Sequence, residues 1–281
     1  MKHFLDDSIY PLPDPMVDQF CLQILPEIHH KIEWLNLELL SMERILLATN
    51  YPNLYGLGLY DLQIEKVKYF VTELYVCLHS FSDCLYLLDD RFNQLHTLYV
   101  NISLICSSDL TINNKEKLFN LKYFSLYCNK ETYVYDESIT QLLHRMSNLE
   151  KFDLCLIVCE RNTLVDGNDL KINIINHMPR LNEFTFNIRS FILYQNQIDQ
   201  PSNEDMQHTF KDYTDNEIIS CIDYFEESKY SQCHIYSYSY KLKYYDNITN
   251  NFPGGLFKNI REISLFDEHS LEYEFFLQIA Q

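Results

Sequence analysis

Apolar residues recur along this chain in one arrangement. A bulky apolar residue is followed by two spacers, an aliphatic residue, two variable positions, an apolar residue, one variable position and a last apolar residue. Six segments carry it: 51–59, 92–100, 118–126, 146–154, 178–186 and 257–265. In each, the spacer just before the aliphatic residue is Asn, Gln or Arg. Two further segments, beginning at Ile32 and Ile235, keep only the second half of the pattern. Alternate residues of an extended chain point to opposite sides, so each segment predicts a short strand with one apolar and one variable face.

Between these segments the period changes. Asp136, Glu137 and Ser138 open a stretch in which Ile139, Leu142, Leu143 and Met146 fall on one helical face. Comparable spacing predicts helices over 41–48, 64–78, 170–177, 216–227 and 271–280. Strand, loop and helix in repetition, each unit burying its edge against the next, is the plan of a leucine-rich repeat. The first aliphatic positions are 32, 54, 95, 121, 149, 181, 235 and 260. Their uneven spacing departs from the roughly 20–29 residues of a regular array. The Asn that a regular repeat carries after its strand is absent or displaced in most copies. The expected fold class is therefore α/β: an irregular leucine-rich-repeat solenoid of about 7–8 repeats, with short parallel strands on the concave side and helices on the convex side. It would span 32–281, after an N-terminal extension over 1–31, with an acidic insertion over about 193–216 read as a mobile excursion.

Composition narrows the functional classes. The chain has 281 residues, 47% of them hydrophobic, with 22 Tyr and 18 Phe against only 5 Gly. Few glycines argue against a phosphate-cradling loop. A formal net charge of −18 lacks the basic footprint that nucleic acid and anionic membrane require, so neither is an expected partner. Nine scattered cysteines, an odd number, read as reduced core thiols. The amino terminus has no apolar leader and no segment approaches membrane-spanning length. The expected location is cytoplasmic or nuclear.

Several stretches resemble one family in their wording. They are Gln19 to His30, Tyr51 to Tyr60, Leu121 to Tyr127, Leu142 to Leu149 and His177 to Ile188. Together they resemble an expanded invertebrate family of F-box/leucine-rich-repeat-like proteins, over nearly the whole chain. The resemblance implies a substrate-recognition part of an F-box-type ubiquitin ligase adaptor, whose F-box would dock on a Skp1-type adaptor. Leu25-Pro26-Glu27-Ile28 looks like the opening of an F-box, but the first repeat strand follows four residues later. The docking half is missing from the pattern, so a Skp1-type adaptor is expected only if an F-box exists outside this chain. A free-standing scaffold, or a truncated family copy without a ligase role, is the alternative.

Candidate chemistry is sparse. Cys155 and Cys159 have C-x3-C spacing, and His29, His30 and His144 offer imidazoles, but no second pair with zinc-site spacing follows. No nucleophile elbow or protease-type cysteine context is present. No catalytic residue, metal or cofactor is expected, and an unidentified protein ligand is the expected partner. If the register holds, the variable positions line an open face: Trp34, Tyr60, Tyr99, Tyr123, Tyr127, Lys151, Asp153, Glu183, Asn187 and Glu262. Exposed Tyr and Trp are the residue types that anchor protein interfaces.

Overall fold

The computed structural model of the chain describes residues 13–53, 56–60, 72–88, 95–106, 118, 120–193, 201–213, 218–237, 244–251 and 262–279. Strands form where apolar residues alternate. β1 (Trp34–Glu38), β2 (Gly56–Tyr60), β3 (Glu73–Ser80), β4 (Thr97–Leu104), β5 (Tyr123–Thr132), β6 (Lys151–Val158) and β7 (Glu183–Leu193) lie side by side in chain order, every neighbouring pair parallel. The chain then reverses. β9 (Tyr230–Ser237) pairs antiparallel with β7, and β8 (Ile218–Phe225) is outermost, antiparallel to β9. β10 (Tyr244–Ile248) and β11 (Glu262–Leu265) form a separate parallel pair.

The register aligns the apolar positions in rows. Leu35, Leu57, Leu74, Leu98, Phe124, Phe152 and Phe184 form one row, and Leu37, Leu59, Val76, Val100, Leu126, Leu154 and Phe186 the next. The Phe152 ring stacks between Phe124 at 5.8 Å and Phe184 at 5.4 Å, each nearly coplanar with it. Burial of each of these three rings contributes roughly 1.5–3 kcal/mol. One backbone device repeats at the strand entrances. The amides of His96 and Thr97 donate to the Thr72 carbonyl, those of Lys122 and Tyr123 to His96, and those of Glu150 and Lys151 to Lys122. Asn182 and Glu183 donate likewise to Glu150.

Helical segments bury their apolar residues in the same core as these rows. α1 (Asp14–Gln19) and α2 (Leu25–Ile28) contribute Val17 and Leu25, and α3 (Leu39–Ala48) contributes Ile45. α4 (Phe81–Leu87) adds Phe81 and Cys84. A π-helical turn over Tyr135–Ile139 runs into α5 (Thr140–Leu143), burying Ile139, Leu142 and Leu143 as the helical spacing predicts. α6 (Gly167–Asn173) is opened by a reciprocal capping box between Asp166 and Asp169. α7 (Asn203–His208) has the same device in Ser202 and Asp205. The turn after α7 lies against the start of α6. The Gly167 amide donates to Thr209 Oγ1 at 2.8 Å, and Tyr213 donates to the Gly167 carbonyl at 2.7 Å. Met206 and Phe210 are buried there, so this part of the stretch expected as an excursion packs into the core. α8 (Tyr273–Ile279) buries Phe275.

The fold class differs from the expected irregular leucine-rich-repeat solenoid of about 7–8 repeats. The structure is an open, mostly parallel α/β sheet with short helices, and the strand–helix unit is not sustained. Residues 73–78, expected as the end of a helix, belong to β3, while 64–71 lie outside the described residues. Of the helix expected over 216–227, residues 218–225 form the strand β8, and 216–217 lie outside the described residues. The copy at Ile235 runs antiparallel to its neighbours, and the copy ending at Leu265 lies in the second sheet. Among the described residues no α-helix exceeds the ten residues of α3, and β8 follows into β9 with no helix between them.

Candidate binding face

The side chains that alternate with the core rows form the other face of the sheet. Across β3 to β7 these are Glu73 and Tyr75, Thr97 and Tyr99, Tyr123 and Ser125, Lys151 and Asp153, and Glu183 and Thr185. They build one connected array. Tyr75 stacks on Tyr99 with centroids 3.7 Å apart, and Tyr99 meets Tyr123 edge-on at 4.7 Å. The Tyr123 hydroxyl donates to one oxygen of Asp153, and the Thr185 hydroxyl donates to the other. At the opposite end, Tyr75 donates to Glu73 at 3.0 Å. Burial pushes the Tyr75 and Tyr123 phenols up, and their hydrogen bonds to Tyr99 and Glu73, and to Asp153, act in the same direction. Both therefore stay protonated donors at neutral pH. Beside the array, Lys151 pairs with Glu183 at 2.6 Å with both side chains about half exposed, so solvent screens the contact.

The residues expected on this face fall in several places. Tyr99, Tyr123, Tyr127, Lys151 and Asp153 stand on neighbouring strands of it, with Glu183 beside them. Trp34 and Tyr60 occupy face positions of β1 and β2, in register with Gly56 and Glu38, but their side chains lie outside the described residues. Asn187 is displaced from the expected role: it is only 8% exposed, and its Oδ1 lies 2.6 Å from His234 Nε2. The reversal of the chain after β7 covers it. Glu262 belongs to β11, opposite Tyr244, and not to the large sheet. Tyr75 and Glu73 were hidden because 64–78 has helical spacing. The available signal was the alternation of Leu74, Val76 and Leu78 with Glu73, Tyr75, Cys77 and His79.

Beyond β7 the same side of the sheet is sealed. Cys221 of β8 lies opposite His234 of β9, and Asp223 opposite Gln232, all of them buried. Asp223 accepts from Thr249 Oγ1 at 2.7 Å, Asn251 Nδ2 at 3.0 Å and the Cys221 thiol at 3.6 Å. The thiol also donates to the Asn251 carbonyl at 3.2 Å. Burial pushes the Cys221 thiol up, with Asp223 acting in the same direction. Burial, with Arg189 nearby, lowers His234 to about 3. Cysteine, histidine and asparagine share one face here, but nucleophilic work needs a thiolate, and this environment holds the thiol neutral.

Among the described residues, no group of three or more His, Cys, Asp or Glu side chains is placed to hold a metal ion. Cys155 and Cys159 form no disulfide, and His144 stacks on His177 with centroids 3.6 Å apart. No helix among them is long and apolar enough to cross a membrane.

These features define an open α/β-sheet protein with a hydrogen-bonded, tyrosine-rich face. The chain matches no protein-family model, no curated protein and no solved structure.

Proposed function

We propose that the face of β3 to β7 binds a protein partner, with Tyr75, Tyr99 and Tyr123 as its anchors. The observation that carries this reading is the contiguous ring array fixed at both ends by carboxylates. Partly exposed tyrosines held in place lose little conformational entropy on binding and offer a broad apolar surface with polar tips. A role in substrate recognition for a ubiquitin ligase rests on the resemblance of the sequence segments.

The test is quantitative capture by tagged wild-type protein, by a Tyr75→Ala/Tyr99→Ala variant, and by Ile172→Ala as a control. Ile172 is 60% exposed on α6. Proteins retained by wild type and control but lost by the tyrosine variant would be partners of the face. Co-capture of a Skp1-type adaptor with a cullin would put the partner in the ligase class. Identical capture by all three proteins would overturn the reading.

A further inference from the structure

We propose that the crevice at the carboxyl ends of β4 to β7 is a binding site for an organic carboxylate carried on an apolar or aromatic body. This goes beyond the protein-binding reading and stands on a different part of the sheet. The crevice opens because the parallel ladder fails there. Pairing of β4 with β5 ends at Asn101 and Tyr127, although β4 continues beside β3 as far as Leu104. Between β5 and β6, Tyr127 faces Cys155 and the next pair is Glu131 with Ile157, so β5 spends four residues where β6 spends two. This bulge buries Cys128 and leaves Asn129 and Lys130 exposed. Bulges re-aim side chains in this way, and they concentrate beside functional sites.

The resulting space is about 520 Å³, within the usual range for small-molecule sites. Ser264 of β11 also lines it. Leu104 and Tyr133 remain 43% and 46% exposed, and with Ile157 and Phe191 they supply apolar wall. Lys130 and Arg189 also line it, against Glu131 as the acid. Glu131 already accepts the Tyr133 hydroxyl. Among the described residues of its lining, a chain with 40 acidic and 22 basic residues sets Lys130 and Arg189 beside the single acid Glu131. The exposed Lys130 ammonium beside an apolar wall suits a carboxylate with a hydrocarbon or aromatic body.

The carboxylate could belong to a small organic acid or to the end of a peptide, and two probes separate them. 3-Phenylpropanoate presents the acid alone, and N-acetyl-L-phenylalanine presents it as a peptide chain end. N-acetyl-L-phenylalaninamide is the neutral control. Titrations followed by NMR on the full chain should show saturable binding of an acid and none of the amide. Tighter binding of the acetylated amino acid would assign the site to peptide ends, and the reverse order to small acids. Lys130→Gln should weaken the bound acid roughly tenfold, the loss of one charge-assisted contact. Glu131→Gln should tighten it, because it removes the acid in the wall. No saturable binding of either acid, equal binding of the amide, or an affinity unchanged by Lys130→Gln would overturn the proposal.

Discussion

Acidification should destabilise this protein through His234. The imidazole is buried beside Asn187 and Tyr236, with Arg189 near enough to oppose its protonation. Its pKa in the folded chain is about 3, against an ordinary value of roughly 6.5 when unfolded. Because the folded value lies below the unfolded one, the unfolded chain binds the extra proton as pH falls below about 6.5. Stability is therefore fully present above that pH and is lost progressively toward pH 3. Between pH 7.5 and 5.5 the cost is about 1.4 kcal/mol, and it hardly depends on the folded value so long as that stays below about 4.5.

Two other groups contribute in the same experiment. His144 is lowered by partial burial and by His177, and so adds loss in the same direction. Asp223 is raised by burial, so the folded chain holds its proton better and gains stability as pH falls through that raised value. A comparison of slopes removes both contributions. Urea unfolding of wild type and His234→Gln, at pH 7.5, 6.5 and 5.5 and constant ionic strength, should show wild type losing about 1.4 kcal/mol more than the variant. Glutamine can direct its amide at Asn187, which limits other damage. Parallel pH dependences in the two proteins would refute the assignment of a neutral, buried His234.

Three further perturbations test the fold. Phe152→Ala removes the ring stacked between Phe124 and Phe184 and should cost about 3–5 kcal/mol in urea unfolding, with the midpoint falling at similar m. Leu149, wholly buried ahead of β6, should not tolerate Asp, and circular dichroism of Leu149→Asp should show loss of cooperative melting. Gly167→Ala would place a Cβ 2.4 Å from the Thr209 carbonyl oxygen. Backbone must move to relieve it, so a loss of about 1–3 kcal/mol is expected, with faster amide exchange over 201–213.

The strands were legible wherever one face is buried and the other is not. Phe152, Leu154 and Leu156 alternate with Lys151, Asp153 and Cys155, and β6 follows that pattern residue by residue. β3 was obscured because Ile64, Val67, Val71, Leu74 and Leu78 have helical spacing, and two of them also serve the strand. Val76, β-branched and out of phase with the helix, marked the alternative. β8 failed for another reason. Ile218, Cys221, Ile222, Asp223 and Phe225 are all buried, so both faces of that strand are covered and its alternation disappears. Ile218, Ile222 and Phe225 then imitate a helix. In the candidate face, the level register of β4 to β7 was readable from the pattern, whereas Glu73 and Tyr75 of β3 were not. Which positions stay open was not, because that depends on where the chain after β7 comes to rest.

The departures from regularity are where the molecule acquires polar features that a uniform row of strands would lack. Within β3 to β7 the repeated entrance hydrogen bonds hold equivalent residues level, and the tyrosine array needs that alignment for its rings to meet. After β7 the antiparallel turn places His234 against Asn187 and closes the face there. In β5 the two extra residues break the level rows and turn Lys130 toward a space that ordered pairing would have filled. Local rules are usually kept in regions that serve stability and broken where another requirement competes. By that argument, trimming the β5 bulge should improve pairing with β6 and abolish carboxylate binding together. Deleting Asn129 and Lys130 should raise the urea midpoint or leave it unchanged while removing the NMR response to 3-phenylpropanoate. A deletion that unfolds the protein would show instead that the bulge is required by the core beneath it, through Cys128.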